Sequence, residues 1–533
     1  MQCRLSSLLV LGLLAGSWAQ AAQPGKTYDF TIVHTNDLHG RFWPDADGEY
    51  GLAAQKALID QIRAEVRQAG GRTLVLNAGD VNTGVPESDM QDAEPMFRGM
   101  NAIAYDAMAL GNHEFDKPRS VLLRQKGWAA FPLLSANLYQ GKTRPFAATA
   151  QFDLGGLKVA VLGLTTPDTP KLVNPQNLSG AHFVAPEREA AKLVPALRRK
   201  ADVVIALTHL GYYPDGQHGV NAPGDVELAR TVPGIDVIVG GHSHTAVCMS
   251  GPNQLETAHQ PGAPCRPDQQ NGTWIMQTGE WGKSVGRADF RYQQGKLTLV
   301  RYTLIPVNLK HAVTSPDGKT SKVTWGAPIT PDPVMVSLLT PYQQKGQQVL
   351  SQPVGQLDSP LDGAREHVRS QPTSMGRFAG EAFMAQTGAD LALMNGGGVR
   401  DSLPAGAVSY RDVLKVFPFG STVVTVELRG DALLDLLTKA ALMTPGSGGY
   451  PQMAGVRLIR QEGKLTGVEV GGKPLDPQRQ YKLVTNSFLA AGGDGYPRLN
   501  RLPGYVDTGF VDADVLKNYL AARSPIKAAD YAP

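Results

Sequence analysis

A chain of 533 residues exceeds what one hydrophobic core usually organises, roughly 250 to 300 residues, so two large domains are the default. Its 51 Lys+Arg stand against 48 Asp+Glu, a formal net charge of +3, which leaves no basic surplus for binding a nucleic-acid polymer. At 42% hydrophobic and 19% charged residues the composition is that of an ordinary folded protein rather than a disordered one.

The chain opens with "MQCRLSSLLVLGLLAGSWAQAAQ": one positive charge at Arg4, an apolar run, then small residues at Ala19 and Ala21. This predicts a cleaved secretory signal over residues 1–21, because the apolar run falls short of the roughly 20 residues a bilayer span needs. Next, "TIVHTNDLHGRFW" begins as a β-branched apolar run and turns polar at Asp37 and His39. Four more short apolar runs end in the same way: "TLVLNAGD" at Asp80, "DAMALGNHEFD" at Asn112, His113 and Asp116, "DVVIALTHLG" at His209, and "DVIVGGHSH" at His242 and His244. Helical patterns lie between them, with Leu58, Ile59, Ile62 and Val66 on one face of the first, so strands and helices alternate as in α/β domains.

One Asp after a strand is ordinarily a cap. Here five of the chain's eleven histidines join Asp37, Asp80 and Asn112 at five strand tips, where α/β folds gather functional groups. The donors are oxygen and nitrogen with no thiolate. That suits one or two divalent ions of the zinc, manganese or cobalt kind, and not a Cys-based structural zinc. Two donors two residues apart just past a strand can both turn toward one metal. Past the signal only Cys248 and Cys265 remain, which in an exported chain predicts one disulfide.

A Pro-rich break at "WGAPITPDPV" precedes a predicted helix over about 335–350, and "SQPVGQLDSP" breaks the chain again. The expected division is therefore 22–330, a linker with a helix over 331–352, and a second α/β or α+β domain over 353–533. The polar end "SPIKAADYAP" carries no lipid-anchor tail, so no membrane anchor is expected.

"HTNDLHG", "GD", "GNHEFD", "THLG" and "GGHSH", in that order, resemble the calcineurin-like metallophosphoesterase pattern. The similarity continues through "YGLAAQKALIDQIR", "GVPESDMQDAEP", "NGGGVRDSLPAG", "FPFG" and "GGDGYPR", and so covers nearly the whole chain after the signal, resembling the bacterial periplasmic branch that combines 5′-nucleotidase and UDP-sugar hydrolase activity.

The resemblance implies an α/β architecture: an N-terminal β-sandwich flanked by helices, and a C-terminal 5′-nucleotidase-type substrate-binding domain. It implies two divalent metals, with Asp80 bridging, Asp37, His39 and His244 completing one position, and Asn112, His209 and His242 the other. His113, oriented by Asp116, would stabilise the transition state or protonate the leaving group. Arg365, Arg369 and Arg400 would bind substrate phosphates, Phe419 and Phe488 would sandwich the base, and Asp494 would accept a ribose hydroxyl. Taken alone, both phenylalanines read as core. At His244 the chain keeps the superfamily's histidine where a close relative has Gln, and Ser421 stands where that relative has a base-contacting Asn.

The implied protein is a periplasmic monomer acting on small nucleotides and nucleotide-sugars. Two metals suit this chemistry, since charged phosphate oxygens repel a nucleophile. A 2′,3′-cyclic-nucleotide phosphodiesterase shares the two-domain plan, and a non-catalytic nucleotide-binding protein would be expected to have lost ligands or the His113/Asp116 pair.

Overall fold

The strand Thr27–Thr35 shows how the first half is built. Ile32 and Val33 are both fully buried, Ile32 in a core between two sheets and Val33 in a core beneath helices. A strand covered on both faces reads as a continuous apolar run instead of an alternating one, which is the pattern its sequence has. The same holds for Val203–His209, where Val203, Ile205 and Leu207 face the inter-sheet core and Val204 and Ala206 face the helices on the other side.

The computed structural model describes residues 22–533 except 24, 174, 179, 215–221, 316–318 and 462–463. The expected signal over 1–21 lies outside the described residues. The first half is a sandwich of two six-stranded sheets. In one, Thr27–Thr35, Arg72–Asn77, Ala107–Ala109 and Leu133–Leu134 run parallel, with Ser284–Gln293 and Lys296–Pro306 antiparallel at one side. In the other, Lys158–Thr165, Val203–His209, Val237–Val239 and Thr273–Met276 are parallel neighbours, edged by Thr149–Asp153 and Asp268–Gln270.

Helices cover the outer faces. Leu52–Gln68 buries the expected Leu58, Ile59, Ile62 and Val66. Cys248 and Cys265 form a disulfide, with Cα atoms 5.1 Å apart.

The helix Pro333–Leu350 ties the halves together. Asp332 caps it, accepting from Met335 N at 2.7 Å. Met335 and Leu339 are buried in the first half's core and Leu350 in the second's, so one rigid element is anchored in both. Gln347 donates to Glu87 at 2.5 Å and accepts from Arg411 of the second half at 2.6 Å.

The second half is a mixed five-stranded sheet in the order Pro451–Ala454, Leu391–Asn395, Gln480–Asn486, Thr422–Arg429, Tyr505–Val511. Ser374–Thr387 and Asp512–Arg523 pack on one face, and Gly430–Ala441 with a three-stranded sheet on the other. Among the described residues no helix is long and apolar enough to cross a membrane.

Candidate active site

The parallel strands of both sheets end at one edge of the sandwich, and the five polar tips meet there. Asp37 and His39 follow Thr27–Thr35, Asp80 follows Arg72–Asn77, Asn112 and His113 follow Ala107–Ala109, His209 ends its own strand, and His242 and His244 follow Val237–Val239. Asp37, His39, Asp80, His242 and His244 all adopt positive φ, from 47° to 81°. Non-glycine residues rarely do so, and clustered strain of this kind is held by the surroundings. Asp37 and His39 thus converge through left-handed turns rather than by strand alternation. Space for them comes from Gly111, where a Cβ would collide with Asp80 Oδ1, and from Gly241, where it would stand 2.9 Å from Asp37 Oδ2.

Metal-ligating atoms gather in three overlapping groups, each within 4.8 Å: Asp37, His39 and His244; Asp80, His209 and His242; His39, Asp80 and His113. Asp80 belongs to two of them. His209 Nε2 stands 2.9 Å from Asp80 Oδ2 and 3.9 Å from Asp37 Oδ1, while His244 Nε2 stands 3.3 Å from Asp37 Oδ1 and 3.0 Å from His39 Nε2.

The rings are fixed from outside. His39 Nδ1 is 2.7 Å from the Thr83 carbonyl, His209 Nδ1 is 2.7 Å from the Ala78 carbonyl, and His244 Nδ1 is 2.7 Å from Glu280 Oε2. A ring nitrogen facing an acceptor must donate, so each Nδ1 carries the proton and each Nε2 faces inward. Inward-facing Nε2 atoms with outward-tied Nδ1 atoms are the arrangement of metal-binding histidines. His209 Nε2 and Asn112 Oδ1 are moreover buried without a hydrogen-bond partner. The donor set therefore fits divalent cations.

The two buried carboxylates draw positive charge into the cluster. Burial pushes Asp37 and Asp80 up, yet facing histidines, His244 for Asp37 and His209 for Asp80, hold both carboxylates below their usual range. Burial opposes charge on His209 and His244 too, but Asp80 raises the first to about 9 and Asp37 the second to about 10. His39 and His242 go the other way, to about 3 and about 4, through burial and then neighbouring histidines.

His113 Nδ1 donates to Asp116 Oδ2 at 2.6 Å, the pairing expected from their spacing, and its Nε2 lies 4.0 Å from Asp80 Oδ2. Burial disfavours its charged form, but Asp116 and Asp80 raise it well above the usual histidine value.

Sequence reasoning passed over three residues around the cluster. Glu114, inside "GNHEFD", accepts backbone N–H bonds from Asp80, Val81, Asn82 and Gly111 at 2.7 to 3.3 Å, knitting two strand tips together. Its place in the motif was the available signal. Thr83 and Glu280 carry no motif.

In the second half a cavity of about 510 Å³ is lined by Arg369, Phe419, Ser421, Phe488, Asp494 and Asp512 among others. The two phenylalanines are 61% and 49% exposed, which corrects their reading as core when taken alone. Asp494 accepts from Asn395 Nδ2 at 2.7 Å. Arg369 Nε is buried without a partner, and burial, then Arg365 and Arg400, lower its pKa, so three guanidinium groups share one neighbourhood. Arg365 and Arg400 are exposed, and Arg400 stands 5.5 Å over the Phe419 ring.

The cavity and the histidine cluster do not meet here: among the described residues no hydrogen bond, ion pair or ring contact joins them. The second half presents another face to the first, with Tyr505–Val511 packed on Thr169–Leu172 and the Asp507 charge acting on His113.

A two-sheet sandwich with such donors at its strand tips defines a phosphoesterase of the calcineurin-like class. Residues 30–246 match the family model described as calcineurin-like phosphoesterase, and residues 353–501 that described as 5′-nucleotidase, C-terminal domain. The chain is 52% identical to Protein UshA of Yersinia enterocolitica and 51% identical to a 5′-nucleotidase of Vibrio cholerae, in each case over 99% of this chain and 97% of the relative. Among solved structures, a 5′-nucleotidase precursor from Thermus thermophilus is 31% identical with a TM-score of 0.56, covering 93% of this chain and 96% of that one. The chain belongs to the UshA-like 5′-nucleotidase family of the calcineurin-like phosphoesterases.

Proposed function

We propose that the protein is an exported, metal-dependent hydrolase that cleaves nucleoside 5′-monophosphates to nucleoside and phosphate, and UDP-sugars to UMP and sugar 1-phosphate, for nucleotide salvage. The observation that carries this reading is the convergence of outward-tied histidines with the buried Asp37 and Asp80 in a chain about half identical, end to end, to named 5′-nucleotidases.

Two divalent cations of the zinc, manganese or cobalt class would be held here, with Asp80 shared between them: Asp37, His39 and His244 would hold one, and Asn112, His209 and His242 the other. When bound, such a pair supplies Lewis acidity toward the phosphoryl group and lowers the pKa of a water. His113, kept cationic by Asp116 and Asp80, stabilises the charge that develops on the phosphoryl oxygens and gives the leaving oxygen its proton. Arg365, Arg369 and Arg400 take the phosphate oxygens of the bound nucleotide. Phe419 and Phe488, both exposed at the cavity, take the base, and Asp494 takes the ribose.

Catalytic residues over 22–330 and substrate-reading residues over 353–533 must come together across the 331–352 linker. Turnover therefore includes a rotation of one half against the other about the Pro333–Leu350 helix. The protein acts as a periplasmic monomer on small molecules.

Metal analysis with a phosphate-release panel of AMP, UMP, UDP-glucose, ATP and 2′,3′-cyclic AMP tests the reading. AMP, UMP and UDP-glucose should dominate, and dominance of the cyclic substrate would overturn it.

A further inference from the structure

The three outer partners of the inward-facing histidines differ in kind. His39 and His209 are tied to backbone carbonyls, which no side-chain change removes. His244 alone among them is tied to a side chain, the Glu280 carboxylate. It is also the most open: its side chain is 36% exposed, against 8% for His39 and 0% for His209 and Asp37.

Glu280 belongs to the short segment 279–283, which touches two donors of one metal position, His244 and Asp37, and reaches the third, His39, through Arg41. Among the described residues it makes no hydrogen bond, ion pair or ring contact with a donor of the other position. Glu280 Oε2 takes His244 Nδ1 at 2.7 Å. Trp281 N donates to the Asp37 carbonyl at 2.6 Å, and the Gly279 carbonyl accepts from Asn36 Nδ2 at 2.5 Å. Arg41 and Lys283 stand 3.7 Å and 4.1 Å from the centre of the Trp281 ring, and Arg41 Nη1 donates to the His39 carbonyl at 3.1 Å. Lys283 Nζ in turn donates to Glu280 Oε1 at 2.8 Å, fixing the carboxylate in place. A Cβ at Gly282 would collide with Gln55 Nε2, so the segment is seated against the helix Leu52–Gln68.

We propose that Glu280 is a positioning residue for one metal position only: it orients His244, sets its Nδ1–H tautomer, and so determines how tightly the Asp37/His39/His244 position holds its ion relative to the Asn112/His209/His242 position. A carboxylate behind a ligating histidine also makes the ring a stronger donor, and partners of this kind typically contribute about 10- to 100-fold in metal affinity. The two ions of the proposed pair are then unequal, the one nearer solvent depending on a replaceable side chain. The inference rests on the two-metal reading above.

The test compares wild type, Glu280→Gln and Glu280→Ala, each loaded with zinc, by counting the ions retained per chain during titration with a competing chelator. Wild type should hold two. In Glu280→Ala one ion should leave at about 10- to 100-fold lower chelator strength while the second leaves as in wild type. Glu280→Gln, which keeps an acceptor for Nδ1–H but not the charge, should fall between and keep the wild-type melting temperature. In a His244→Gln background, Glu280→Ala should produce no further weakening. Retention of both ions at wild-type strength in Glu280→Ala, or equal weakening of both in Glu280→Gln, overturns the proposal. A wild-type chain holding fewer than two ions refutes the two-metal reading itself.

Discussion

The histidine cluster of the first half and the cavity of the second are built on opposite plans. In the cluster Asp37, Asp80 and His209 are buried, five of the ligand backbones are strained into positive φ, and three rings are tied from outside through Nδ1. In the cavity the two phenylalanines are about half exposed or more, Arg400 stands over one of them, and Arg365 and Arg400 are themselves exposed. The chemistry of phosphoryl transfer tolerates little misplacement, so its groups are fixed before substrate arrives. On the proposed roles, reading a base needs only two flat faces and some hydrogen-bonding groups, which substrate itself can bring into order.

The contrast can be broken from either side. Asp80→Ala should have the largest effect, loss of both metals and of all activity, read by metal analysis beside a phosphate-release assay; a variant that keeps two metals would remove Asp80 from its bridging place. His113→Ala should keep both metals and lose about 10²- to 10⁴-fold in kcat, with a smaller loss on esters whose leaving group needs no proton. A metal-depleted His113→Ala would make His113 a ligand and merge two roles that the account keeps apart.

Glu114→Gln should cost about 2 kcal/mol or more in denaturant unfolding, because an amide NH₂ would then face backbone N–H groups that now donate to a buried carboxylate. Unchanged stability would show that the strand tips are held without it. Phe419→Ala should sharpen the contrast most gently: about 1 to 3 kcal/mol weaker nucleotide binding with nearly unchanged hydrolysis of p-nitrophenyl phosphate. Equal losses on both substrates would tie the ring to the fold instead.

What the sequence displayed follows the same division. Each strand tip is a local event, an apolar run turning polar within a few residues, so Asp37, His39, Asp80, Asn112, His209, His242 and His244 were all legible, and the structure gathers them at one edge. Glu280 was not, because its contact with His244 arises from chain that returns to the site 36 residues later. Phe419 and Phe488 were misread as core when taken alone, since an aromatic residue in a folded domain gives the same local signal whether it lines a cavity or a core. Nor did any local pattern foretell which face of the second half meets the first. That depends on how the Pro333–Leu350 helix seats Met335 and Leu339 in one core and Leu350 in the other.

That arrangement offers the most direct test of the account's central claim, that fixed chemistry in one half must receive substrate carried by the other. Cysteines placed in Thr169–Leu172 and Tyr505–Val511 and joined by a photocleavable crosslink would hold the halves as they stand here. The measurement is AMP turnover and metal content before and after the light pulse. The account predicts full metal content throughout, turnover near background while the link is intact, and recovery once it is cut; wild-type turnover in the linked protein would contradict it.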